Sequence, residues 1–502
     1  MVKQTGNQIP SPEEHLGYKV GSDRNLADWP EIVEYFWMLD RNSDRVKVQE
    51  MGPSTEGNPM LLATIASEET ISNLDKYRDI QHRLADPRSI TSDDEAKDLI
   101  AEGKSVILVT CSVHATEVGA TQMSLLLAHH LATNNDQATK DILDNVIFLL
   151  IPCLNPDGLR LVKSWYESTL GTWYEGVNQP FLYHKYVGHD NNRDWFMFTQ
   201  NETKLTVEHA HNRWHPQVVY DLHQMGPYGP RLFVPPYMDP IDPNVDPILQ
   251  AEIAMLGTAM FSELTGQGKE GVAVHCIYDA YSPSRAYQHY HGAIRILSEA
   301  ASCRIATPIE ISAEEITYSR GLNPREQTWN NPMPWKGGTW SLKDIVDYDF
   351  GAVMAALGNL ARYRDIWLRN FLEVGKRAIA GENRPFAYVI PMKQRDPITA
   401  FELIQTMETA MVEVHEAQQE FTADGIVHAA GTRVILMNQP YASFAKTMLE
   451  TQVYPDLRLY PGGPPKPPYD ATAHGLPAQM GVKVVEVQEP FEAPLNLIKE
   501  FS

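Results

Sequence analysis

The stretch SVILVTCSVHATEVGAT, residues 105–121, decides how this chain of 502 residues is read. Val106 to Thr110 is a dense β-branched, apolar run, the pattern of a strand buried on both faces. It ends in Cys-Ser-Val-His, Glu117 follows His114 by three residues, and a helical pattern begins near residue 118. A buried strand thus delivers a histidine and a carboxylate at its C-terminal end. In open α/β sheets that is where ligand sites form.

The same pattern recurs on either side. Apolar runs at 145–152 (NVIFLLIP), 216–224 (PQVVYDLHQ) and 294–300 (IRILSEA) read as further buried strands, alternating with helical periodicity over 26–40, 118–132 and 343–380. VKVQEMGPSTEGNPMLLATIA reads as two strands around a Gly/Pro turn, and 70–103 is charged and helical. Residues 159–200, rich in Trp, Tyr, Gly and His, read as a long structured loop region. The fold class is α/β: a mixed, mostly parallel twisted sheet between helices. A charge-rich link at 376–385 separates a catalytic-size unit, 1–380, from a small C-terminal α/β unit, 386–502, whose role the sequence leaves open.

Composition narrows the function classes. Net charge is −22 (42 Lys and Arg against 64 Asp and Glu), which argues against nucleic acid or an anionic membrane as partner. No apolar run is long enough to span a bilayer, and the first residues lack the apolar centre of a signal peptide. The chain therefore reads as cytoplasmic unless a leader has been removed. Four cysteines form no disulfide framework and no zinc spacing; Cys111 and Cys153, each after a strand, read as buried thiols.

Several polar groups fall at strand ends: His114 and Glu117, Asn155-Pro-Asp-Gly158, His223 and Glu299. Two histidines and a carboxylate with an open fourth position are the ligand set of a catalytic zinc site, and a further carboxylate could serve as general base. Each piece alone is weak, since about one His-x-x-Glu is expected by chance in a chain of this composition. His289 and His291 alternate like strand neighbours and could form a metal pair, whereas His129-His130 reads as the polar flank of a helix.

Taken together, HATE, NPDG, GHDNNRDW, YDLHQ and ILSEA resemble the zinc carboxypeptidase family in motif content, order and rough spacing, across roughly residues 25 to 375. GPSTEGNPMLLATI is similar to that family's early strand pair. The resemblance implies that His114, Glu117 and His223 hold one zinc ion. It implies that Glu299 acts as general base toward the zinc-bound water and passes the proton to the leaving amine. It further implies that Asn192 and Arg193 grip a substrate's terminal carboxylate, a role that suits the planar guanidinium. Tyr278 would be the tyrosine that closes over substrate.

The pattern is broken in places. Digestive members carry a second arginine after the Asn-Pro-Asp-Gly loop that steadies the oxyanion; this chain has Leu170 in that region, and Thr116 stands where they have another arginine. One oxyanion donor is worth about 3 kcal/mol, so a substitute is expected, with Arg285 a candidate. Arg285 also falls where the family lines its terminal side-chain pocket, which implies a preference for an acidic C-terminal residue.

The function these readings imply is a zinc-dependent metallocarboxypeptidase, hydrolysing the peptide bond next to a free C-terminal carboxylate. The alternative is a zinc amidohydrolase or deacylase of small N-acyl amino acids, which shares the ligand set. A degenerate binding protein is a third class, opposed by the presence of all three ligands and the base.

Overall fold

The computed structural model describes residues 9–182, 190–278, 281–381, 385–466 and 473–498. Its centre is an eight-stranded sheet. The strands are β1 (Val46–Pro53), β2 (Pro59–Ile65), β3 (Ser105–Cys111), β4 (Val146–Ile151), β5 (Val218–Met225), β6 (Leu232–Phe233), β7 (Val272–Ala273) and β8 (Ile294–Ala301), in the order β1-β2-β4-β3-β5-β8-β6-β7. The four central strands β4, β3, β5 and β8 are parallel; β2 is antiparallel to both β1 and β4, and β6 is antiparallel to β8 but parallel to β7. Every residue of β3 and β4 is buried, as their unbroken apolar runs require of strands covered on both faces. The cover is helical: helix Leu342–Arg362 packs on helices Gly119–Thr133 and Pro247–Gly266, and helix Arg364–Ala380 packs on β3.

Local signals place the helices. Helix Trp29–Asn42 starts with a capping box between Asp28 and Glu31 and a proline in its first turn. Helix Pro156–Thr169 corrects the reading of 159–200 as loop throughout. Asn155 caps it by accepting from Gly158 N at 2.9 Å, and Leu159, Val162 and Tyr166 line its buried face at helical spacing. Likewise the first residues of the supposed link at 376–385 continue helix Arg364–Ala380; residues 382–384 lie outside the described residues.

A ribbon of β9 (Ile309–Ile311) and β10 (Gly338–Trp340) precedes the C-terminal unit. There β11 (Ala387–Ile390), β12 (His415–Ala417), β15 (Arg433–Leu436), β16 (Val485–Val487) and β17 (Leu495–Leu497) form a sheet of order β16-β11-β15-β12-β17, antiparallel throughout, beside a small hairpin of β13 (Phe421–Ala423) and β14 (Ile426–His428). Helices Pro397–Thr409 and Ala442–Leu449 accompany it. The main apolar core runs on into this unit through Tyr388, Leu403, Ile435 and Phe444. Tyr441 and Phe444 pack against His291, with ring centroids 4.7 and 5.4 Å apart. Tyr454 packs against Tyr281 at 4.9 Å, three residues beyond Tyr278. Among the described residues no helix is long and apolar enough to cross a membrane.

Candidate active site

After Cys111 the chain turns sharply. Ser112 sits at φ 45°, a left-handed conformation that costs a residue with a side chain. Its Oγ donates to the Glu117 carbonyl at 2.7 Å, and Glu117 N donates to the His114 carbonyl at 3.1 Å, so the turn folds the two side chains toward one another. Helix Pro156–Thr169 backs this turn closely. A Cβ on Gly158 would lie 2.6 Å from that of Ala115, a gap only glycine leaves open. Asp157 accepts from Ser54 Oγ and, at 2.8 and 2.7 Å, from Glu56 N and Asn58 Nδ2. The Asn-Pro-Asp-Gly segment is thereby scaffold between the β1–β2 turn and the His114 turn.

His223, near the end of β5, joins from the next strand. Glu117 lies between the two imidazoles, with Oε1 2.8 Å from His114 Nδ1 and Oε2 2.9 Å from His223 Nδ1. One donor atom from each of the three residues falls within 4.8 Å of the others. Zinc bonds of about 2.1 Å at tetrahedral angles separate neighbouring donors by about 3.4 Å, close to the 2.8 and 2.9 Å from Glu117 to the two imidazoles. The charge distribution also fits a cation. Burial would push His114 down, but Glu117 and Asp190, the latter 3.2 Å from Nε2, outweigh it and lift the imidazole to about 10. Burial opposes ionisation of Glu117 too, yet the two histidines hold its carboxyl at about 2. The cluster favours positive charge where its donors converge. Asp190, inside GHDNNRDW, orients His114 from behind, as outer partners of metal-bound imidazoles do. Gly188 and His189 of that stretch lie outside the described residues.

Glu299 on β8 stands in register with His223 on β5. It is largely buried and its carboxyl is raised, because burial outweighs the nearby Arg320 and His223. Arg320 Nη2 donates to Glu299 Oε2 at 3.0 Å. The sequence offered no periodic signal for this residue, which sits on a turn outside every regular element.

The remaining candidates meet over a buried ion pair. Arg295 of β8 donates to Asp221 of β5 at 2.8 Å through Nε and 2.5 Å through Nη2. The same guanidinium donates to Asn192 Oδ1 at 3.3 Å and to Tyr278 Oη. Asn192 Nδ2 lies 3.3 Å from His223 Nε2. Tyr278 is buried, with the Arg285 guanidinium over its ring at 4.7 Å. The turns bearing Asn192 and Arg285 are tied by Trp195 N donating to Ser284 O at 3.0 Å. Arg193 lies at the edge of this network with its side chain 25% exposed, 3.8 Å from Asp190. Asp221 lies in YDLHQ and Arg295 in IRILSEA, but nothing in their spacing says that they pair.

His289 and His291 do not form a metal pair. Tyr287–His291 is a 3-10 turn, not a strand, and the imidazoles bond to backbone carbonyls, His289 to Arg295 at 3.0 Å and His291 to Tyr287 and Ala410 at 2.9 and 2.8 Å.

Residues 32–222 match the zinc carboxypeptidase family profile, a span that includes His114, Glu117, Asn192 and Arg193 and stops one residue short of His223. No curated protein matches the chain in a sequence search. Similar solved structures include a metallo-carboxypeptidase from Burkholderia cenocepacia, 16% identical over 67% of this chain and 70% of that one, with a TM-score of 0.43. Others are carboxypeptidase A from Helicoverpa armigera (16%, 72% and 79%, 0.39) and a metallo-carboxypeptidase from Pseudomonas aeruginosa in complex with (2-guanidinoethylmercapto)succinic acid (16%, 67% and 68%, 0.39). Over residues 32–222 the chain thus matches the zinc carboxypeptidases, a family of metallopeptidases.

Proposed function

We propose that this protein removes the C-terminal residue of a peptide, with His114, Glu117 and His223 holding one zinc ion and Glu299 as general base. The observation that carries this is the Glu117 carboxylate clamped between two imidazoles, with Glu299 beside them on the next strand. Bound there, zinc supplies Lewis acidity toward the scissile carbonyl and toward water.

The side chains supply the rest. Glu299 takes a proton from water as the water oxygen bonds to the carbonyl carbon. As the C–N bond breaks, Glu299 delivers that proton to the leaving nitrogen. The hydroxyl left on the new carboxyl group gives up the second proton by the same route, so the products are a carboxylate and an ammonium. A raised carboxyl suits both halves of this exchange, since its affinity for the proton moves toward neutral pH. Asn192 and Arg193 hold the substrate's terminal carboxylate, and Tyr278 closes the pocket. Arg285, against the Tyr278 ring, favours an acidic C-terminal side chain.

The test is mass spectrometry of peptides ending in Glu, Leu and Lys, free and amidated, with and without a chelator. Stepwise loss from free ends only, fastest from Glu and abolished by chelation, is expected. Equal cleavage of all three ends would remove the assigned preference. Intact peptides from zinc-loaded protein would turn the reading to small N-acyl amino acids.

A further inference from the structure

The sequence lacks the arginine expected to steady the oxyanion, yet a cation does stand beside the general base. Arg320 lies on the turn Ser319-Arg320-Gly321-Leu322. Ser319 N donates to Leu322 O at 3.0 Å, and Leu322 N donates back to Ser319 O at 3.1 Å. The two central residues have φ 53° and 84°, the signature of a type I′ turn. The first of these positions normally takes Asn, Asp or Gly, because a longer side chain there is strained. Gly321 is required in its place as well, since a Cβ would meet Ile277 Cγ1 at 2.9 Å. The turn is pinned to the Tyr278 segment by Ile277 N donating to the Arg320 carbonyl at 2.9 Å. A strained arginine is thus held against Glu299, with its guanidinium 5.5 Å over the Phe233 ring and its side chain 19% exposed.

Resting on the hydrolytic reading above, we propose that Arg320 is the oxyanion donor of this enzyme: a catalytic residue that meets the negative charge forming on the substrate's carbonyl oxygen. As water's oxygen bonds to the carbonyl carbon, the π pair moves onto that oxygen, where the guanidinium donates to it. The pair returns to carbon as the C–N bond breaks, and the amine leaves with the proton from Glu299. The side-chain pocket is then left to Arg285, held over the Tyr278 ring.

The experiment uses zinc-loaded Arg320→Met and Arg320→Lys with a peptide substrate and with a phosphonate analogue of the tetrahedral state. Expected for Arg320→Met is a fall in kcat of about 10²–10³-fold with KM within about threefold, and a matching loss of affinity for the analogue. Added guanidinium restores part of the rate, Arg320→Lys is intermediate, and zinc content is unchanged. A kcat within threefold of wild type, or a rise in KM alone, overturns the assignment. If Arg320→Met fails to fold, Arg320→Lys decides: a drop in kcat and analogue affinity without a change in KM supports the proposal, and wild-type values overturn it. Glu299→Gln run in parallel separates the two claims. Intact peptides from zinc-loaded wild type sink the hydrolytic reading itself, an active Glu299→Gln sinks only the general-base role, and a fully active Arg320→Met beside an inactive Glu299→Gln sinks only the role of Arg320.

Discussion

Arg295 and Asp221 face each other from adjacent parallel strands, 2.5 Å apart and each only 3% exposed in its side chain, two and four residues before His223 and Glu299. Thr110 Oγ1 donates to the second oxygen of Asp221, so the carboxylate is held from both sides. Burying such a pair gains little net stability, but removing one partner strands the other charge. The geometry gives a reason for its presence: the Arg295 guanidinium also fixes Asn192 and Tyr278. Asp221→Ala should therefore lower stability by about 3–5 kcal/mol in urea unfolding. The double variant Asp221→Ala/Arg295→Met should recover much of that loss yet bind substrate poorly, with a raised KM. A double variant with wild-type KM would show that the pair does not position the binding groups.

Glu117 carries the negative charge of the proposed metal cluster and touches both imidazoles. Glu117→Gln keeps the shape and removes the charge. Zinc affinity, followed by competition with a chromophoric chelator, should fall at least about tenfold, more than for a change at Asp190 behind His114. Undiminished affinity in Glu117→Gln would exclude that carboxylate as a ligand.

Glu299 is assigned the proton transfers and no part in holding zinc. Replacing it with Gln should cost about 10²–10⁴-fold in kcat while zinc content and KM stay near wild type. Loss of zinc together with activity would instead make Glu299 part of the metal cluster.

What the sequence revealed follows from where its signals are physically strong. Strands buried on both faces leave long apolar runs, so β3, β4, β5 and β8 were legible to within two residues, and with them the strand-end placement of His114, His223 and Glu299. Helix Pro156–Thr169 was overlooked because its exposed face is crowded with Trp165 and charged residues that mask the 3.6-residue repeat. Strands β12 to β14 and β17 have three residues each, too few for alternation to register. Asp190 and the Asp221–Arg295 pair act through partners distant in the chain, and pairing across 74 positions leaves no local mark. Arg320 is the extreme case. It lies in no segment that the sequence marked out, and only the folded chain brings it to Glu299, 21 residues away.

Away from the site, the fold contains a carboxyl whose burial makes stability depend on pH. Glu252 lies in helix Pro247–Gly266, 4% exposed, and accepts from Asn370 Nδ2 of helix Arg364–Ala380 at 2.9 Å. Burial, only partly offset by that hydrogen bond, raises its carboxyl from 4.5 to about 7. A group that holds its proton more tightly when folded favours the folded state fully below its unfolded value. That contribution is lost as pH rises from 4.5 through 7, where the buried side chain must ionise. Glu252→Gln preserves an acceptor for Asn370 and cannot ionise. The variant should match wild type in thermal stability at pH 4 and exceed it increasingly up to about pH 8, by an amount on the order of 2 kcal/mol. Unfolding curves measured across this range decide the matter: a constant offset between the two proteins would mean that Glu252 does not titrate there, and a stability gain already present at pH 4 would assign the effect to packing rather than to charge.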